Sequence, residues 1–308
     1  NTLFENSFSE LDEDNGIVDW HKNEILKLLE EKNLMDLIRV FNSPNNTKPA
    51  NMASFLFGLK DNTIPQRAGV NVKAIDFNYI LQEDEDFKIV FIIFYTAIVY
   101  HIAQIVKSLN LEVPRHISFS GNGSKVIRVI TTDSKLLARY TKMVFEKLLG
   151  KPYGKELDLL GLEKDSNPKE STCKGGIIGT EDEDNRDKTI VFKSDCTGLV
   201  TPKDTYANIK DDYKRRTVTA VEDFFKFVLV DMNSAFNFDK NFGVKPSSIR
   251  IAQEMAKKDL LTFLEKGISQ RCEETEAEDM IEETFFYYPI KGVLNAISAE
   301  IYNELQQS

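Results

Sequence analysis

Three cysteines and three histidines in 308 residues leave little room for the chemistry those side chains usually carry. Cys173, Cys196 and Cys272 are odd in number and far apart, with no Cys-x-x-Cys pair. His21, His101 and His116 are equally scattered, so the sequence offers neither a zinc-ligand spacing nor a disulfide framework. That usage suits a reducing compartment, and we expect a cytoplasmic protein. Basic charge is also short: 39 Lys and Arg stand against 49 Asp and Glu, a net charge of −10. Nucleic-acid affinity rests on phosphate contacts, so an acidic balance argues against that partner. The basic run Lys214-Arg215-Arg216 follows Asp211-Asp212 and reads as a solvated helix face. No Ser-His-Asp order, paired-carboxylate pattern or His-Glu-x-x-His is present, and no internal repeat or low-complexity tract. The acidic stretch 180–187 alternates Asp182, Asp184 and Asp187, but it lacks the glycine and closing glutamate of a calcium loop and reads as a solvated loop.

What is present is an ordinary globular composition, 42% hydrophobic and 29% charged, in a chain long enough for two domains. One apolar run stands out. Ile89 to Val106 is eighteen residues without a formal charge, which reaches the length of a membrane span. Tyr95, Thr96, Tyr100, His101 and Gln104 temper it, and a helix apolar all round is also what a core requires. We read it as a buried helix.

Elsewhere the apolar spacing is helical. Ile25, Leu28, Leu29, Leu34, Leu37, Ile38 and Phe41 recur at that period within residues 19–41, with Asn33 as an internal break. Residues 50–82 mix short apolar runs with Gly58, Pro65 and Gly69, and carry Lys60, Arg67 and Lys73. Thr189 to Lys193 reads as a strand. Three long helices are expected over 206–236, 247–270 and 275–306, the second capped by Ser247 or Ser248 behind Pro246. Acidic residues 273–279 would load the start of the third, and Pro289 and Gly292 would kink or break it. Phe285-Phe286-Tyr287-Tyr288 reads as core or helix-contact surface.

The most informative stretch is His116-Ile117-Ser118-Phe119-Ser120-Gly121-Asn122-Gly123-Ser124-Lys125. A short strand runs into two glycines, and an amphipathic helical segment, 126–149, is expected at once after it. Glycines at a strand end let backbone approach a ligand, and ligands of open α/β sheets bind at the carboxyl ends of strands. Downstream, Asn167-Pro168-Lys169-Glu170-Ser171-Thr172-Cys173-Lys174-Gly175-Gly176 pairs a good N-cap with proline in the first helical turn.

Together with the apolar helix 87–109, these pieces resemble the adenosine-binding region of the actin, sugar-kinase and DnaK-type chaperone superfamily, over residues 86–180. The resemblance implies an α/β, actin-like (ribonuclease-H-like) half-domain with a peripheral lobe, followed by an all-α extension. It divides the chain into a lead-in and peripheral lobe (1–85), a nucleoside-binding subdomain (86–205) and a helical extension (206–308). It further implies ATP or ADP as cofactor. Gly121, Asn122, Gly123, Ser124 and Lys125 would form the nucleoside loop, and Gly175 and Gly176 a hinge-side pair. The family's Asp-x-Gly phosphate hairpins have no counterpart here, since Asp14-Asn15-Gly16 and Asp61-Asn62-Thr63 lack the flanking strands. Mg²⁺ would then be held by a preceding half of a longer protein, and this portion alone would not be catalytic. The alternative is a degenerate scaffold whose helical C-terminal region binds a protein partner without any enzymatic role.

Overall fold

The computed structural model describes residues 76–120, 122–162, 204–281 and 283–307, with isolated residues between 27 and 39 and Gly69. The expected helix at 167–176 with Gly175 and Gly176, the strand at 189–193, the acidic loop and the basic residues Lys60, Arg67 and Lys73 lie outside the described residues.

Helix α1 (Phe77–Glu83) starts at Asp76, whose carboxylate accepts the Asn78 N–H. Helix α2 (Lys88–Ser108) is the expected apolar helix. Asp84 launches it by accepting the N–H groups of Asp86 and Phe87. It ends where Asn110 takes φ 51°, with Leu111 N–H donating to Val106 O across the closing turn. Twelve of its 21 residues are buried. Each fully buried aliphatic or aromatic side chain there contributes roughly 1.5–3 kcal/mol. α2 is the one helix among the described residues that is long and apolar enough to cross a membrane, and 61% of that window is covered by the rest of the chain.

Strand β1 (His116–Ser118) pairs in parallel with β2 (Asp158–Leu160), in register His116 with Asp158, Ile117 with Leu159 and Ser118 with Leu160. Between them lie a 3₁₀ helix (Asn122–Val129) and helix α3 (Ser134–Leu149). Asp133 caps α3 through the Lys135 and Leu136 N–H groups, and Gly150 ends it at φ 67°. The single amphipathic segment expected at 126–149 is therefore two elements. Residues 124–130 are buried on every side, so they follow no helical stripe.

After residue 203 the chain is helical: α4 (Asp211–Lys226), a π-helical turn (Phe227–Met232), α5 (Asn233–Phe236), α6 (Phe238–Phe242), α7 (Pro246–Met255), α8 (Leu260–Glu274) and α9 (Tyr287–Gln307). Asn237, at φ 55°, breaks the first long helix, and Pro246 occupies the first turn of α7. Ser248 does not cap α7: its buried hydroxyl donates to Asp86 across to the start of α2. Residues 275–281 and 283–286 are not helical, so the acidic run lies at the carboxyl end of α8 and not at the start of a helix. Pro289 and Gly292 fall in the first turns of α9, which runs on through both.

The α/β actin-like expectation is overturned. Helix makes up 69% of the described residues and strand 4%, all of it apart from isolated bridges in one two-stranded sheet. The physical reason lies in the strands, whose burial alternates exposed, covered, exposed over three residues each. They cannot supply the continuous apolar runs of a sheet sandwiched between helices, and a two-stranded sheet has little stability of its own. The core is helical instead. Tyr100 of α2 packs its ring against Phe224, Phe227 and Phe286, and Tyr140 of α3 against Phe236, Phe238 and Phe242. One cluster of buried side chains thus joins α2 and α3 to the helices after residue 203. Leu29 and Ile38 belong to it as well, on either side of Asn33, which turns at φ 60°.

Candidate functional site

Phe119 and Ser120 lead the chain out of β1 at the carboxyl edge of the parallel pair, and the 3₁₀ helix opens at Asn122. That edge is built by both strand ends. Phe119 N–H extends the ladder by donating to Leu160 O at 2.9 Å. Gly161, at φ 85°, then turns the chain away from β2. A Cβ at Gly161 would stand 2.3 Å from Phe119 O, so the two strand ends approach as closely as they do only because that residue is glycine. At the opposite edge Asp158 N–H donates to Arg115 O, and His116 Nδ1 lies 3.4 Å from Asp158 Oδ2, both side chains exposed. Tyr153 fastens the lead-in to β1 by donating from its hydroxyl to Pro114 O. Burial pushes the Tyr153 phenol up to about 12, which keeps it a donor at neutral pH.

The residues expected to form the loop divide by role. Gly121 and the side chain of Asn122 are outside what the structure describes; Asn122 and Gly123 open the 3₁₀ helix. Ser124 and Lys125 are buried, at 7% and 8% exposure, and both are engaged within the chain, as is buried Arg128. The 3₁₀ helix packs on α1 and α2. The side chains of Ser124 and Lys125 are therefore taken up inside the protein and are not presented at the sheet edge. Sequence reading missed Gly161. Its signal was present: a glycine directly after the short run Leu157-Asp158-Leu159-Leu160.

No family model, no curated protein and no solved structure matches this chain.

Among the described residues no group of three or more His, Cys, Asp and Glu side chains converges as a metal site would require. A concave feature lies far along the chain, between α8 and α9. It encloses about 270 Å³ and is lined by Lys258, Phe263, Lys266, Gln270, Tyr288, Lys291 and Asn295, among others. Gly267 and Gly292 set its depth: a Cβ on either would stand 2.6 Å from the Tyr288 ring and 2.3 Å from the Phe263 ring, respectively.

The expected basic face 214–216 is tied down. Lys214 pairs with Glu265 at 3.1 Å and Arg216 with Asp212 at 2.7 Å. Phe285 and Phe286 are buried, and Phe285 stacks on Tyr288 at 5.4 Å.

Proposed function

We propose that the carboxyl edge of the β1–β2 pair, with the glycine turn 121–123, holds the nucleoside of ATP or ADP, and that the chain contributes this contact to an ATP-dependent protein of the actin or DnaK-type chaperone kind. One observation supports the reading above the others. The motif leaves β1 at the carboxyl edge of parallel strands, and Asn122 and Gly123 open the 3₁₀ helix just beyond it. The flat face of a nucleoside suits a backbone ledge, because stacking on peptide planes needs no side chain of fixed chemistry. Ser124 and Lys125 support the turn from beneath and do not reach the ligand. The residues described here do not fit Mg²⁺, for want of a carboxylate cluster, and we assign no phosphoryl-transfer step to them. Cytoplasmic residence accords with the need for ATP. The helical region after residue 203 is proposed as the face that meets a protein partner.

Calorimetry with ATP and ADP in the presence of Mg²⁺, on this chain and on Gly123→Val, tests the reading. Saturable heat that Gly123→Val removes is the expected result. An unchanged Kd in the variant, or no saturable heat with either nucleotide, sinks it.

A further inference from the structure

We propose that the cleft between α8 and α9 binds a small phosphoryl anion. The chain carries a net charge of −10, yet three lysines and no carboxylate line this cleft. The helical period puts them there. Phe263, Lys266, Gly267 and Gln270 form one stripe of α8, and Tyr288, Lys291, Gly292 and Asn295 the facing stripe of α9. Glu265 lies on another face of α8 and is already paired with Lys214, and Glu273 falls one turn beyond the lining residues. Lys258 enters from the turn before α8.

Among the described residues, Lys258 and Lys266 have no carboxylate partner; both are exposed, while Lys291 is half-buried and engaged within the chain. Two unpaired ammonium groups over a concave floor concentrate positive potential, since low-dielectric walls focus a field that open solvent would screen. The floor is rigid. Gly267 and Gly292 let the Tyr288 and Phe263 rings lie where a Cβ would otherwise be, which fixes the helix crossing. Gln270 and Asn295 add neutral amide donors on facing helices, so an anion would meet both point charges and directional donors.

Size selects within the class. A volume of about 270 Å³ is at the small end of ligand pockets and suits inorganic phosphate or a small phosphate ester. Lysine serves as a phosphate binder through its point charge, with no demand for the planar, bidentate geometry of arginine. The inference stands apart from the nucleoside edge, because it uses neither strand nor the glycine turn.

The test is calorimetry on the full chain at constant ionic strength, with inorganic phosphate and glycerol 3-phosphate as probes and chloride as the background anion. The Lys258→Gln, Lys266→Gln double variant is the comparison; both side chains are exposed, so the fold is retained. The expected result is saturable binding that weakens at least about tenfold in the variant. An ester that binds more tightly than inorganic phosphate assigns the site to phosphate esters, and equal affinities assign it to the free anion. Absence of saturable binding at millimolar probe, or the same affinity in the variant, overturns the proposal. Nucleotide heat at the strand edge is read separately in the same variant, which leaves Gly123 untouched.

Discussion

The hydroxyl of Tyr95 on α2 lies 2.6 Å from that of Thr141 on α3, and the two helices exchange a second bond of the same kind, Tyr140 to Thr96, also at 2.6 Å. Both threonine hydroxyls are also within donating distance of their own helix, Thr96 to Ile92 O at 2.6 Å and Thr141 to Leu137 O at 2.8 Å. A threonine has one hydroxyl proton. With that proton committed to the backbone, each tyrosine must be the donor across the interface. Burial holds both phenols well above their ordinary pKa, so they remain donors at any physiological pH.

This polarity predicts unequal costs. Tyr95→Phe removes the donor and leaves Thr141 still bonded to its backbone carbonyl, a loss of about 1 kcal/mol. Thr141→Val strands the Tyr95 hydroxyl in the core, which costs about 1–3 kcal/mol. The double variant should lose less than the two single losses added together. Urea unfolding of the three variants measures this. Equal losses for the two single variants would mean that the stranded Tyr95 hydroxyl carries no penalty of its own.

The crossing of α8 and α9 makes a second prediction. Gly292→Ala raises helix propensity by about 1 kcal/mol in an open helix. Here the new Cβ would meet the root of the Phe263 ring at 2.3 Å, with no flexible tip to move aside. Overpacking of that kind costs about 1–3 kcal/mol, so the net change should be destabilising. Gly267→Ala, against the Tyr288 ring at 2.6 Å, should behave alike. A thermal melt in which either alanine raises Tm would show that the helices separate easily.

How much of this was legible beforehand follows from the range of the signals. The apolar helix at 88–108 was, because a run of eighteen uncharged residues favours a helix, and the polar side chains within it favour cover by the chain over a membrane. So was helical character after residue 206, from local periodicity. The end points were not. The break after Glu274 sits under an acidic run that looks like a helix start, and a bridge from Thr205 to Met280 holds it in place, a contact no local pattern encodes. Pro289 reads as a breaker, although proline is tolerated in a first helical turn. The fold class was misjudged for a related reason. The motif around Gly121 is a statement about ten residues, and the sheet it suggested depends on partners elsewhere. At the site, the strand was legible, whereas the inward direction of Ser124 and Lys125 depends on packing against α1 and α2.

Asp84 gives a pH-dependent prediction. Its carboxyl pKa is raised, chiefly by burial, against the lowering effect of the Phe87 and Asp86 N–H bonds. A raised folded-state value means that the unfolded chain gives up its proton first. The stability that the neutral form confers is therefore present below the ordinary carboxylate range and is lost as pH rises through the folded-state value. Asp84→Asn keeps the Oδ1 acceptor for both N–H groups and removes the desolvated charge. Its urea midpoint at pH 7 should exceed that of the parent, and the gap should close as the medium becomes acidic enough to protonate Asp84. A gap that widens on acidification would reverse the sign of the argument.

The edge of the strand pair can be separated from general stability with two glycines in left-handed conformation. Gly150, at φ 67°, has open space where a Cβ would stand, and Gly161, at φ 85°, has Phe119 O at 2.3 Å. Gly150→Ala should cost about 1 kcal/mol from backbone strain alone and leave the β1 edge in place. Gly161→Ala adds the clash, so Phe119 must withdraw and the Phe119 to Leu160 bond at 2.9 Å must lengthen or break. If the edge carries the nucleoside, ATP affinity should fall about tenfold or more in Gly161→Ala and stay within about twofold of the parent in Gly150→Ala. Amide exchange at Phe119 reports the structural half of the effect independently of ligand. Faster exchange at Phe119 with undiminished ATP binding would remove the strand edge from the nucleotide site, and the glycine turn would then have to act without it.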